Sequence, residues 1–159
     1  MDNYKKGRKM AEFDSDDEIL ELAIAREEDA NQFYIVLAAQ AKNDEMRKVF
    51  EDLAEEELEH KAKLELEVIK TGRVVTATEK PELETKGDTE SVGPEVDMDY
   101  KDMLIMAMQK EEASFRLYVD LAGRVINENT HDTLLALAEE EVKHKLRFET
   151  EYDLLLKKS

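Results

Sequence analysis

Leu53-Ala54-Glu55-Glu56-Glu57-Leu58-Glu59-His60-Lys61 returns 84 residues later as Leu137-Ala138-Glu139-Glu140-Glu141-Val142-Lys143-His144-Lys145. The same offset carries Glu27 onto Glu111, Tyr34 onto Tyr118 and Leu37-Ala38 onto Leu121-Ala122, without a gap. Between residues 19–71 and 103–155, 17 of 53 positions are identical. Glu and Leu are common enough here to inflate that figure. His occurs only three times and Tyr five, so their coincidence carries the repeat. A fixed offset is the mark of a duplicated supersecondary unit, here two units related by pseudo-twofold symmetry.

Each unit reads as a helical hairpin. Glycine and proline are scarce, five and two in 159 residues, and Gly72, Pro81, Gly87, Gly93 and Pro94 all fall between positions 72 and 94. The expected organisation is a flexible tail over 1–14 and one domain over 15–159. Within it lie a hairpin at 15–71, a crossover at 72–98 and a second hairpin at 99–158. The crossover has room for a short extended piece at Val74-Val75-Thr76. Ser15-x-x-Glu18 is a capping box that opens a first helix ending near Lys42. Asn43-Asp44 makes a turn into a second helix reaching Thr71. A third is expected from Asp99 to Asn127 and a fourth from Thr130 to the C-terminal end. Short loops inside each hairpin make its helices antiparallel neighbours. The fold class is all-α, a four-helix bundle of two hairpins joined by one long crossover.

The apolar stripes locate the chemistry. At 3–4 spacing the first helix presents Leu20, Ala23, Glu27, Ala30, Tyr34, Leu37 and Ala41. The second presents Met46, Phe50, Leu53, Glu57, His60, Leu64 and Val68. The third gives Leu104, Ala107, Glu111, Ser114, Tyr118, Leu121 and Val125. The fourth gives Leu134, Leu137, Glu141, His144, Phe148, Tyr152 and Leu155. Each stripe is broken at its middle by a glutamate, and the second and fourth add a histidine three residues on. A buried carboxylate without compensation costs several kcal/mol or shifts its pKa until neutral. Four in one layer call for cations. Two divalent ions would neutralise them, with two imidazoles completing the coordination at a metal separation of about 3.5–4 Å. Carboxylate with imidazole suits iron or manganese, and zinc fits the ligand types as well. The remaining acidic runs, Asp14–Glu18 and Glu55–Glu59 apart from Glu57, read as solvated faces. His131 reads as a solvent-exposed residue in the turn before the fourth helix. Met98, Met103, Met106 and Met108 read as core filler or an interface.

Composition narrows the function. Forty acids against 23 bases give a net charge of −17, which repels nucleic acid. The longest run of large apolar residues, Met103–Met108, falls far short of the ~20 needed to span a bilayer, so no membrane association is expected. The basic Lys5-Lys6-Gly7-Arg8-Lys9 is followed by no apolar segment and does not read as a secretory signal. The absence of cysteine fits a reducing, cytoplasmic compartment and excludes thiolate metal sites, iron–sulfur clusters and a cysteine nucleophile.

Glu27, Glu57-x-x-His60, Glu111 and Glu141-x-x-His144 resemble the di-iron carboxylate site of the ferritin-like superfamily. The strings Glu27-Glu28-Asp29-Ala30-Asn31-Gln32-Phe33-Tyr34 and Leu53–His60 resemble rubrerythrin-type domains more than cage ferritins, over about 15–71 and 99–155. The resemblance implies two iron ions, with manganese or zinc as substitutes. It implies that Glu57 and Glu141 bridge them and that Glu27 and Glu111 are terminal ligands. His60 and His144 would bind one ion each. Tyr34 and Tyr118 would stand beside the carboxylates, although seam packing with one hydrogen-bond partner explains a tyrosine equally well. Two departures matter. Rubrerythrins carry a rubredoxin domain with four iron-binding cysteines, and this chain has no cysteine. They also carry an extra carboxylate three residues after the third-helix ligand, where this chain has Ser114.

The leading functional expectation is a rubrerythrin-like peroxidase. It would reduce hydrogen peroxide or dioxygen with electrons from an external donor such as a rubredoxin, and the missing carboxylate would slow the peroxide cycle. A second expectation is ferritin-like iron oxidation and iron handling. A third is a non-catalytic, metal-stabilised interaction module. Because rubrerythrin-like domains usually pair, a homodimer or higher oligomer is expected.

Overall fold

The computed structural model describes residues 15–71 and 99–158. The expected tail over 1–14, the crossover over 72–98 and the extended piece at Val74-Val75-Thr76 lie outside the described residues. Among the described residues there are four helices: α1 (Asp16–Gln40), α2 (Asp44–Lys70), α3 (Tyr100–Ala122) and α4 (Glu128–Lys158).

Side chains that satisfy the first amides set the starts of the helices. Ser15 accepts from the Glu18 N–H at the head of α1, as the capping box requires. Asn43 accepts from the Met46 N–H for α2, and Asp99 from the Asp102 N–H for α3. Asn127, the repeat mate of Asn43, accepts from the Thr130 N–H for α4. Asp16 reaches across from α1 to accept from the N–H groups of Ile126 and Asn127, which ties the α3–α4 turn to the start of the bundle.

Two expected boundaries move. The third helix ends at Ala122 rather than near Asn127, because Gly123 closes it and Asn127 is taken as the cap of α4. His131 lies inside α4 rather than in the preceding turn and is half-buried rather than exposed. Its Nδ1 is 2.7 Å from the Ala122 carbonyl oxygen, so its ring serves one of the free carbonyls at the end of α3.

The core divides into two clusters. One gathers the C-terminal half of α1, the N-terminal halves of α2 and α3 and the C-terminal half of α4, around Phe33, Tyr34, Phe50, Leu104 and Phe148. The other gathers the opposite halves, around Ile19, Leu20, Leu64, Leu121, Leu134 and Leu137. This division makes α1–α2, α3–α4, α1–α3 and α2–α4 antiparallel. It also places the end of α2 and the start of α3 at opposite ends of the bundle, the one-crossover connectivity of ferritin-like folds. Met103 is buried in the first cluster, with Met106 and Met108 packed against it. No helix among the described residues is long and apolar enough to cross a membrane.

Candidate metal centre

Between the two apolar clusters lies one polar layer. Glu27, Glu57, Glu111 and Glu141 are each at most 1% exposed, and His60 and His144 are 3% and 4% exposed. All six project from the middles of their helices, because each continues the stripe whose apolar members form the clusters on either side. The layer is organised as two overlapping groups. Glu27, Glu57, His60 and Glu141 can offer ligand atoms all within 4.8 Å of one another, and so can Glu57, Glu111, Glu141 and His144. Glu57 and Glu141 belong to both. The 84-residue repeat exchanges the two groups.

The imidazoles turn Nδ1 toward the carboxylates. His60 Nδ1 is 3.1 Å from Glu57 Oε1, and His144 Nδ1 is 3.2 Å from Glu141 Oε1 and 3.3 Å from Glu111 Oε1. The two rings stack with centroids 5.3 Å apart and planes 7° from parallel. Proximity does not bring full satisfaction. His60 Nδ1, both oxygens of Glu57, Glu27 Oε1 and Glu141 Oε1 are buried without a hydrogen-bond partner. Buried polar atoms without partners are rare and costly. Five in one layer, all hard oxygen or imidazole nitrogen donors, fit a site for divalent cations.

The electrostatics agree. Burial, reinforced by Glu27, Glu141 and Glu111, pushes the Glu57 carboxyl well above its ordinary range. Burial and Glu111 do the same to Glu141. At Glu111 burial pulls upward, but hydrogen bonds with His144, Glu141 and Tyr34 outweigh it and hold the carboxyl low. Burial pulls His144 down, yet Glu111 and Glu141 win and push it up to about 11. Without metal, the layer therefore holds protons that a cation would displace.

Both tyrosines reach across the bundle to carboxylates. Tyr34 on α1 donates its O–H to Glu111 Oε2 on α3. Tyr118 on α3 donates to Glu27 Oε2 on α1. Burial and the neighbouring carboxylates raise both phenols well above their ordinary value, so both remain donors. Tyr34 fixes Glu111 Oε2 and leaves Glu111 Oε1 facing His144, whereas the Glu27 oxygen that Tyr118 fixes, Oε2, is also the one 3.7 Å from His60 Nδ1. Ser114 is 1% exposed within the same core and brings no carboxylate.

Glu56, in the run read from the sequence as solvated, has a partner in the layer, and its repeat mate Glu140 lies close by. Glu56 Oε1 lies 2.8 Å from His144 Nε2, with the Glu56 side chain 39% exposed. Glu140, its repeat mate, can bring an oxygen within 4.8 Å of ring nitrogens of His60 and His144. A carboxylate on the outer imidazole nitrogen fixes the tautomer and orients the inner nitrogen, and losing such a partner weakens metal binding about 10–100-fold. Their signal was available in the repeat, since each stands directly before the shared glutamate. Glu56→Gln and Glu140→Gln should therefore keep the metal stoichiometry and raise the dissociation constant by about that factor. Competition with a chelating indicator dye measures it.

A four-helix bundle with this connectivity and a mid-height layer of four glutamates and two histidines defines a ferritin-like protein. The chain belongs to the rubrerythrin family, whose model matches residues 18–152. Among solved structures it is similar to a hypothetical protein of Pyrococcus furiosus, at 30% identity over 94% of this chain and 95% of that one, with a TM-score of 0.66. A Thermotoga maritima structure described as a ferritin-like diiron-carboxylate protein shares 21% identity over 87% of this chain and 95% of that chain, TM-score 0.66. The bacterioferritin-related protein of Bacteroides fragilis, described as a dodecameric thioferritin, shares 20% identity over 88% and 87% of the two chains, TM-score 0.61. These last two likenesses concern the fold. No curated protein sequence matches the chain.

Proposed function

We propose that this protein is a non-haem di-iron oxidoreductase that reduces hydrogen peroxide, or dioxygen, with electrons from an external donor. The observation that carries the reading is the pair of four-residue groups sharing Glu57 and Glu141. Glu57 and Glu141, common to both groups, would be shared between two cations. Glu27 and His60 would complete one position, and Glu111 and His144 the other. These six residues would hold two iron ions, with manganese or zinc as substitutes of matching ligand preference. Bound iron supplies the redox chemistry. The chain supplies a buried layer, imidazoles oriented through Glu56 and Glu140, and phenols that restrain Glu111 and Glu27. The protonated His144 imidazole and the protonated glutamates become metal ligands only by releasing protons, so loading favours neutral over acidic pH.

Electrons come from a separate carrier, such as a rubredoxin, because these 159 residues contain no cysteine to hold a rubredoxin-type iron. Membership of the rubrerythrin family supports redox use of the site. Ser114 denies one metal the additional carboxylate of the family pattern, which predicts slower peroxide turnover than a seven-ligand site.

The test is anaerobic loading with Fe(II), followed by stoichiometric peroxide or dioxygen with the optical spectrum recorded throughout, then steady turnover with reduced rubredoxin. Rapid oxidation of two irons per chain and donor-dependent peroxide consumption are expected. Donor-supplied protein that leaves peroxide intact yet catalytically oxidises added Fe(II) with dioxygen would replace this reading with iron handling. A loaded protein that does neither would leave the non-catalytic metal-stabilised module.

A further inference from the structure

The two halves of the bundle repeat the same tyrosine–glutamate pair, yet among the described residues only one half connects that pair to the surface by aromatic rings. Tyr34, bonded to Glu111, stacks on Phe50 with centroids 6.4 Å apart and on Phe148 at 5.8 Å. Phe50 and Phe148 are 6.1 Å apart, and Phe50 meets Tyr100 edge-on at 6.0 Å. Tyr100 is half-buried and donates to Glu151 Oε1 at 3.3 Å. It lines a surface cavity of about 560 Å³ with Lys48, Arg147, Glu151 and Lys158.

The repeat provides the control. At the positions matching Phe50, Phe148 and Tyr100, the other half has Leu134, Leu64 and Asp16. Tyr118 keeps its carboxylate, Glu27, but the buried residues of its cluster are otherwise aliphatic, with a partly buried Phe115 packed against them. Leu64 and Leu134 are fully buried, as Phe50 and Phe148 are, so filling the bundle end does not by itself call for rings.

We propose that Tyr100, Phe50, Phe148 and Tyr34 form a one-electron relay from a donor seated at the surface cavity to the metal centre. The proposal rests on the redox reading above. Dioxygen needs four electrons and four protons to become two waters, and two Fe(II) ions supply one electron each on becoming Fe(III). The remaining electrons must arrive from outside. A tyrosine gives up an electron readily only when its phenolic proton leaves with it, so each relay tyrosine needs an acceptor. Tyr34 gives one electron to the half-reduced dioxygen, the oxidant of this step, as its proton shifts to Glu111 Oε2. Tyr100 refills Tyr34 through the intervening rings, the Tyr34 proton returns from Glu111, and the Tyr100 proton shifts to Glu151. A one-electron protein reductant at the cavity then reduces Tyr100, and Glu151 returns its proton. One electron has crossed and both phenols are restored. At the cavity Lys48, Arg147 and Lys158 outnumber Glu45 and Glu151, a local basic excess in a chain that is otherwise strongly acidic, which suits a negatively charged donor.

The test exploits the absence of cysteine. Lys48→Cys creates a single attachment point for a ruthenium photo-oxidant beside the cavity, in the full chain supplied with redox-inert zinc. After a flash, transient absorption and electron paramagnetic resonance should show a tyrosyl radical on Tyr100 and then on Tyr34. Tyr100→Phe should lose transfer to Tyr34, Tyr34→Phe should leave the radical on Tyr100, and Tyr118→Phe, although it frees Glu27, should leave both radical steps in place. Joint replacement of Phe50 and Phe148 by Leu, the residues of the other half, should slow the second step, with circular dichroism confirming the fold. Oxidation of Tyr34 undiminished in Tyr100→Phe, or of Tyr118 as readily as Tyr34, would overturn the relay. Dioxygen added to the reduced iron-loaded protein without donor should trap a radical that Tyr34→Phe removes. If no variant consumes oxidant, the redox reading fails, whereas the flash experiment still decides the relay.

Discussion

Glu57→Gln should empty both metal positions at once, whereas Glu27→Gln should empty one. The difference follows from the overlap of the two ligand groups, which share Glu57 and Glu141 and divide the other four residues between them. Glu141→Gln should match Glu57→Gln, and Glu111→Gln should match Glu27→Gln, because the repeat exchanges the members of each pair. Metal content per chain after loading and desalting measures this. Peroxide or dioxygen consumption should vanish in the Glu57 and Glu141 variants. The metal-free proteins should respond in the opposite sense. Glu57 is fully buried with both oxygens unpartnered, so neutralising it removes a charge that only metal or a proton compensates. A buried carboxylate without compensation costs several kcal/mol or must take up a proton, and an amide of similar volume carries neither requirement. Metal-free Glu57→Gln should therefore melt at or above the temperature of the metal-free parent while failing to gain stability from iron. A variant that binds two metals with parental affinity would falsify the bridging assignment.

The stripe rule found the layer because two structural signals coincide in it. Side chains at 3–4 spacing must enter the seam of a bundle, and carboxylates do not enter a seam without a partner. Where only one of those signals is present, sequence reasoning loses resolution. Asp29 and Lys110 lie off the stripes, yet they are 3% and 9% exposed and joined at 2.8 Å between α1 and α3. Asn31, also off the stripe, donates to the Ala54 carbonyl oxygen at 2.7 Å. These contacts depend on α1 being covered on more than one face, which a single helical period does not encode. Glu67 is buried where it accepts from Thr130 and Thr133, a pairing fixed only when the end of α2 meets the start of α4. Glu56 shows the opposite case. Its neighbours on both sides are acidic, and nothing local separates it from a solvated run. Its position immediately before a shared ligand, repeated at Glu140, becomes meaningful once His144 Nε2 is found beside it.

The asymmetry of the core was likewise written in the sequence but needed contacts to interpret. The repeat aligns Phe50 with Leu134 and Phe148 with Leu64, and on composition alone such exchanges are ordinary apolar substitutions. Only the ring distances reveal that Tyr34 is continuous with Tyr100, while Tyr118 faces aliphatic neighbours. The helix ends follow the same logic. The capping atoms of Asn43 and Asn127 occupy equivalent positions, but the early stop of α3 is held by Gly123 together with His131 from the next helix.

Metal should raise the melting temperature most at neutral and mildly alkaline pH and least near pH 5. In the metal-free protein Glu57 and Glu141 have folded-state pKa values raised well above 4.5. Between that unfolded value and the raised one, the folded state binds more protons than the unfolded, so stability falls as pH rises. His144 acts in the same direction. Its folded value of about 11 against an unfolded 6.5 gives a contribution fully present below about 6.5 and lost as pH climbs toward 11. Glu111, held low by its partners, acts only below the ordinary carboxylate range, where its contribution is lost as pH falls. The metal-free protein should therefore be more stable at pH 5.5 than at pH 8. Metal binding has the opposite dependence, because its ligands must be deprotonated. With free metal at about 1,000 times the dissociation constant, stabilisation is about 4 kcal/mol for one site. At about 2–4 °C per kcal/mol for a chain of this size, that is on the order of 10 °C. Calorimetric melting of metal-free and Fe(II)-loaded protein under anaerobic conditions at pH 5.5 and 8 should give curves that nearly coincide at the lower pH and separate by about that amount at the higher. Equal melting temperatures at pH 8 would mean that the buried carboxylates are compensated by protons alone and that the layer holds no tightly bound metal.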